Sequence, residues 1–219
     1  MTHNDSQFIN QLKKFEGSID HLYLDSKGNP TIGVGFLMAN EAQFCALNLV
    51  HKQSGKAASQ HEKRAEYRRV NKQKAGYKAN WYGQFCELVL PEQEVNGLLS
   101  QHMSQFKGEL GRVFSKKSGF NCDFQQMPKP AQYALLDMAF NLGTPHLANN
   151  WPKLHKAIKQ QDWPRAAKEC SRRHIQAERN TATQQLFVSA TKLDILNKAS
   201  FTAKVVSWAW RKVKKKLFK

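Results

Sequence analysis

The sequence predicts an α+β fold, mostly α, with one small N-terminal β-hairpin and a helical C-terminal part. Three observations carry that reading. Apolar residues recur at helical spacing along most of the chain. A single turn-rich stretch, Ser26-Lys27-Gly28-Asn29-Pro30, lies between two short β-like runs at 21–24 and 31–36. The 219 residues, 41% hydrophobic and 11% aromatic, suffice to bury a substantial core in one domain or one bilobed domain, despite a mean hydropathy of −0.63.

Taken in order, Phe8, Ile9, Leu12 and Phe15 step along one face of a first helix, with Asn4, Asp5 and Ser6 available as caps and Gly17 as its stop. After the hairpin, Ala42, Cys45, Ala46, Leu49 and Val50 predict a second helix over 39–50. The composition then shifts: residues 51–80 hold nine Lys or Arg against only Glu62 and Glu66. That stretch reads as a solvated helix or inserted loop that adds non-specific attraction for polyanions. His51 and His61 lack a further ligand at metal spacing, so no metal site is expected there. Trp81, Tyr82 and Phe85 open an aromatic cluster, and Pro91 with Glu92 and Glu94 starts a helix whose face is Val95, Leu98, Leu99, Met103, Phe106 and Leu110. Residues 115–126 are polar and read as a loop. From Pro128 or Pro130 to Gly143 the pattern is apolar on several sides, as in a buried central helix, and helices over 151–158, 163–171 and 183–196 complete the set.

The polar residues around the hairpin carry the chemistry. Glu16 ends the first helix, Asp25 ends the first β-like run and Thr31 begins the second, so a short hairpin is expected to set Asp25 and Thr31 across from each other with Glu16 facing them. Any one of them alone would be an ordinary surface acid or strand residue. Together they match glycosidic bond cleavage, which needs one carboxyl to protonate the leaving oxygen and a second to stabilise or activate on the opposite face. Glu16, at the negative end of a helix dipole and expected to be buried by Phe15 and Ile19, suits the acid. Asp25, beside a polar turn, suits the ionised base, and Thr31 would hold the attacking water.

The spacing E-x8-D-x5-T, ending in Thr31-Ile32-Gly33-Val34-Gly35, with the turn Asp25-Ser26-Lys27-Gly28, resembles the catalytic segment of the phage-type lysozymes, the muramidase family that includes endolysins and pesticin-like toxins. Residues 136–143, LDMAFNLG, resemble the family's N-M-x-F-x-x-G run, and residues 160–167 a further helix start. The resemblance implies a bilobed lysozyme-like fold with a cleft between the lobes and Glu16, Asp25 and Thr31 as the catalytic group. It implies cleavage of the β-1,4 bond between N-acetylmuramic acid and N-acetylglucosamine, without metal or organic cofactor. It places Leu37, Phe140 and Asn141 at the substrate and offers Arg179 as the arginine that pairs with the acid. Arg172 and Arg173 are read as surface residues. Three departures stand out: the basic stretch near 50–80 has no close family counterpart, Phe36 stands where some members have histidine, and the chain after about 198 runs past the usual family end.

Residues 1–198 are accordingly expected to form the catalytic domain, with a basic insertion at about 50–80, and 199–219 a cationic amphipathic tail. The tail holds seven of the chain's net seventeen positive charges and no acid; Val206, Trp210, Val213 and Leu217 fall at helical spacing, which fits an anionic envelope or membrane surface. Cys45, Cys86, Cys122 and Cys170 form no C-x-x-C pair and are expected as free buried thiols. The start, MTHNDSQF, lacks the features of a secretory signal, and no apolar run reaches membrane-spanning length. A monomer made in the cytoplasm and delivered to the wall by other means is expected. The competing reading is a non-catalytic cationic protein, binding membrane or nucleic acid on a lysozyme-like scaffold, although no motif for specific nucleic-acid recognition is present.

Overall fold

The structure, a computed structural model, describes residues 3–194. The amphipathic tail at 199–219 and the last residues of the helix expected over 183–196 lie outside the described residues. The chain divides into two compact units between Ser104 and Gln105, a boundary that falls inside one long helix. The first unit carries the sheets and the second is helical. An α+β class, mostly α, is therefore what the sequence predicted.

In the first unit, α1 (His3–Glu16) buries Phe8, Ile9 and Leu12, the face the periodicity marked. Gly17 follows at φ 76, a left-handed conformation that ends the helix at little cost. The hairpin becomes a three-stranded antiparallel sheet: β1 (Ile19–Leu24), β2 (Pro30–Gly33) and β3 (Phe36–Leu37), in that order. The run expected over 31–36 is thus broken in two. Gly33 and Gly35 sit at φ 66 and 75, so the chain turns at Val34-Gly35 and returns as β3. Gly33 has a second reason to be glycine, since a Cβ there would lie 2.9 Å from the Phe36 ring.

The helix expected over 39–50 is shorter, α2 (Glu41–Cys45), capped by the Asn40 side chain on the Gln43 N–H. Val50 instead enters β4 (Val50–His51), which pairs with β5 (Leu88–Val89). The basic stretch is mostly ordered secondary structure. It supplies α3 (Gln60–Asn71), with a Ser59/Glu62 capping box, and a 3₁₀ helix at Ala79–Phe85. Lys63 and Glu66 of α3 are buried, contrary to the solvated helix expected, because distant backbone groups bind the Lys63 ammonium and one oxygen of Glu66, while Glu66 Oε1 is enclosed without a donor among the described residues. Lys63 Nζ donates to the carbonyls of Cys45 and Leu47, and Glu66 Oε2 accepts from the N–H groups of Glu87 and Leu88. The helix α4 (Glu92–Val113) begins after Pro91 as predicted, and Lys13 of α1 donates to its Glu92 at 2.6 Å.

In the second unit, residues 115–126 are a loop with two 3₁₀ turns, Lys116–Ser118 and Phe124–Gln126, and bury Phe120, Cys122 and Phe124. The central helix α5 (Lys129–Leu142) is buried over most of its length, from Ala131 to Ala139. A short helix the periodicity did not reveal, α6 (Thr144–Asn149), precedes α7 (Pro152–Lys159) and α8 (Trp163–Glu169). The final helix occupies 177–194 of the described residues. Trp163 stacks on Phe187 in this core at 6.4 Å between ring centroids. All four cysteines are free and buried, and among the described residues no helix is long and apolar enough to cross a membrane.

Candidate active site

Asp25 lies in the turn that joins β1 to β2, and the turn is built around its carboxylate. Oδ1 accepts the backbone N–H groups of Lys27 and Asn29, both at 2.8 Å, and Oδ2 accepts the Asn29 side-chain amide at 3.0 Å. The Asp25 N–H donates in turn to the Asn29 carbonyl at 2.9 Å. Burial works against ionisation, but the bonds from Asn29 and Lys27, helped by the Lys27 charge, outweigh it and hold the Asp25 pKa below the usual carboxylate value. An ionised Asp25 is what the sequence predicted.

Thr31 is buried and donates its hydroxyl to the same Asn29 carbonyl at 2.9 Å. Asn29 therefore ties Asp25 and Thr31 together. The two are not cross-strand partners, however: Thr31 pairs with Tyr23 on one side and with Leu37 on the other. The expected register misses because Asp25 already belongs to the turn and β2 starts one residue earlier, at Pro30. Tyr23, Thr31 and Leu37 thus form one cross-strand row. Leu37 at its end is 54% exposed, an uncovered apolar side chain beside Thr31.

Tyr23 is the residue that the sequence reading missed. Burial first, then the charges of Asp25 and Glu16, push its phenol above the usual value. One hydroxyl therefore senses both carboxylates, and it stays protonated at neutral pH. The signal in the sequence was only proximity: Tyr23 stands two residues before Asp25.

Glu16 closes α1 and is exposed, with Phe15 and Ile19 only half-buried. The burial expected around it is not present: Gly17 and Ser18, which follow it, are exposed as well.

In the second unit, Phe140 packs its ring on Phe106 at 4.7 Å, and Asn141 keeps its Oδ1 enclosed without a hydrogen-bond donor among the described residues. Arg179 is buried and donates Nε to Asp137 Oδ1 at 2.9 Å. Arg172, expected on the surface, is also buried: its Nη2 donates to Asp137 Oδ2 and to the Thr183 hydroxyl, both at 2.7 Å. Two guanidinium groups thus share one buried carboxylate, while Arg173 is exposed as read. Two pockets in the first unit, of about 440 and 380 Å³, are lined by residues of α2 and α3 and by residues around His51 and Glu87; neither includes Glu16, Asp25 or Thr31.

A comparison with curated proteins gives no match. The family model for phage lysozyme matches residues 13–187, a span that contains Glu16, the Asp25 turn, Thr31 and the buried α5. That match covers most of the chain and agrees with the motifs and the fold, so the chain belongs to the phage lysozyme family, whose members hydrolyse peptidoglycan.

Proposed function

We propose that this peptidoglycan hydrolase is an N-acetylmuramidase that cleaves the β-1,4 bond between N-acetylmuramic acid and N-acetylglucosamine. Glu16 is the general acid that protonates the leaving oxygen. Asp25 is the base on the opposite face of the sugar, with Thr31 positioning the water. For an inverting reaction the two carboxyl groups stand roughly 6.5–9.5 Å apart, leaving room for that water. Leu37, Phe140 and Asn141 are the proposed substrate contacts; the enclosed Oδ1 of Asn141 is an acceptor that a sugar acetamide N–H would satisfy.

The observation that carries the reading is the turn of residues 25–29. It fixes Asp25 as an anion by three N–H donors and binds Thr31 through the same Asn29, next to a phenol that feels both carboxylates. A carboxylate that is merely solvated needs no such cradle, whereas a base in a glycosidase must keep its charge and its direction. Tyr23, protonated at neutral pH, is proposed to order the water or the sugar between the two groups.

The test is muropeptide release from purified cell walls, read by mass spectrometry. The parent is expected to release fragments with muramic acid at the reducing end. Glu16→Gln is expected to lower the rate by about 10²–10⁴-fold, the usual contribution of a general acid. Full activity in that variant, or release of no glycan fragment by the parent, would overturn the assignment.

A further inference from the structure

Residues 72–81, KQKAGYKANW, contain three lysines and no acid, and all of them but Gln73, Ala79 and Trp81 are exposed. Tyr77 is 47% exposed and lies face to face on Trp81, with ring centroids 4.0 Å apart and planes within 13°. Trp81 is held in turn by the edges of Tyr82 and Phe85, at 5.1 and 5.0 Å. Tyr82 is fully buried and donates its hydroxyl to the Lys74 carbonyl at 2.9 Å. The platform is therefore set in place before anything binds. Lys72, Lys74 and Lys78 around it are exposed, and none makes an ion pair with a described residue.

This surface adjoins the catalytic turn. A Cβ placed on Gly28 would lie 3.4 Å from the Ala75 Cβ, so the loop rests against residues 25–29. His21 of β1 is hydrogen-bonded through Nε2 to the Ala79 carbonyl at 3.2 Å, which pins the loop to the strand that leads into Asp25.

We propose that residues 72–81 form a second binding surface for peptidoglycan, one that takes the anionic glycan strand as it leaves the catalytic group. The exposed Tyr77 face stacks on a sugar ring, and Lys72, Lys74 and Lys78 pair with the carboxylates of the stem peptides. This inference rests on the muramidase reading above. Three features select the occupant. A flat aromatic face suits the apolar face of a pyranose. Exposed ammonium groups that form no ion pair with a described residue suit carboxylates spaced along a flexible polymer. Contact with the Asp25 turn puts the surface on the path of the same strand.

The experiment is sedimentation of the full-length chain with purified peptidoglycan freed of attached phosphate polymers, in a Glu16→Gln background so that the wall stays intact. Tyr77→Ala is expected to weaken binding by roughly three- to tenfold, the worth of a single aromatic contact, and Tyr77→Phe to restore it. Replacing Lys72, Lys74 and Lys78 by Gln is expected to weaken binding and flatten its salt dependence, and replacement by Arg to restore both. Thermal unfolding of each variant identifies any loss caused by misfolding. Equal affinity of properly folded Tyr77→Ala and parent would overturn the proposal. So would a loss of duplex DNA binding by the same factor as wall binding, which would make the patch a general polyanion surface. Hydrolysis retained by Glu16→Gln sinks the muramidase reading instead, and leaves the binding result standing.

Discussion

Three N–H groups converge on the Asp25 carboxylate, and only one of them, the Asn29 amide on Oδ2, comes from a side chain. That donor can be removed without opening the turn, because the two backbone donors survive a change to alanine. The depressed pKa of Asp25 keeps it ionised below the ordinary value of 3.8, so an activity that needs the anion should persist to acidic pH. The same shift acts on folding: its stabilisation is present above 3.8 and is lost as pH falls through the lower folded-state value. Asn29→Ala is accordingly expected to move the acidic limb of kcat/KM upward while the chain remains folded. The measurement is a pH–rate profile on solubilised peptidoglycan, and a limb that stays where it was would remove Asp25 as the group it reports. Tyr23 lies in the row beside Thr31, and its phenol is raised first by burial and then by the charges of Asp25 and Glu16.

At the scale of elements, α3 shows where reading a sequence succeeds and where it stops. The sequence left a solvated helix or an inserted loop open here; the Ser59/Glu62 capping box is local and starts the helix, but the charges suggested solvent, and two of them are interior. Glu66 accepts from two N–H groups of the chain entering β5, and Arg69 reaches its Oε2 at 3.3 Å. Burial is the largest influence on its carboxyl and raises the pKa; the N–H bonds and Arg69 oppose it without cancelling it. A raised value means that the protonated form fits the fold better, so the contribution is fully present below 4.5 and declines as pH rises. Glu66→Ala at neutral pH should cost roughly 1–3 kcal/mol for each N–H left unpaired, whereas Glu66→Gln keeps an acceptor, sheds the buried charge and should cost far less. Urea midpoints of the two variants check this, and equal losses would show that the charge itself is required. The backbone partners of Glu66 and Lys63 lie 16 to 22 residues away in sequence, which no periodicity exposes. Arg172 was misread for the same reason, its partner Asp137 being 35 residues distant. The hairpin and the carboxylate turn were legible because their chemistry is local: Gly, Asn and Pro dictate the bend, and Asp25 bonds within four residues of itself. Only the register and the break at Gly33 needed coordinates.

Over the whole molecule, a net charge of +17 and eight histidines act together when the medium is acidified. Each protonated histidine adds to self-repulsion, a long-range effect that salt screens, with a Debye length of about 30 Å at 0.01 M and about 3 Å at 1 M. Two histidines add a term that salt does not reach. The His102 ring of α4 packs at a tilt against Phe36, with centroids 4.6 Å apart, and burial lowers its pKa. Burial also lowers that of His155 in α7, aided by the Lys159 charge and opposed by a 2.9 Å bond to the Leu147 carbonyl that the neutral ring can donate. For a base with a depressed pKa, the stabilisation is present above the unfolded value of 6.5 and is lost as pH falls below it. Stability measured by denaturant should therefore drop on acidification through that range, and high salt should recover only the part due to repulsion. His102→Phe keeps a ring against Phe36 and cannot titrate, so its remaining drop in high salt should be smaller than the parent's, with His155 supplying what is left. Identical drops in parent and variant at high salt would show that the packing of His102 on Phe36 carries no proton-linked free energy, and that repulsion or His155 alone accounts for the loss.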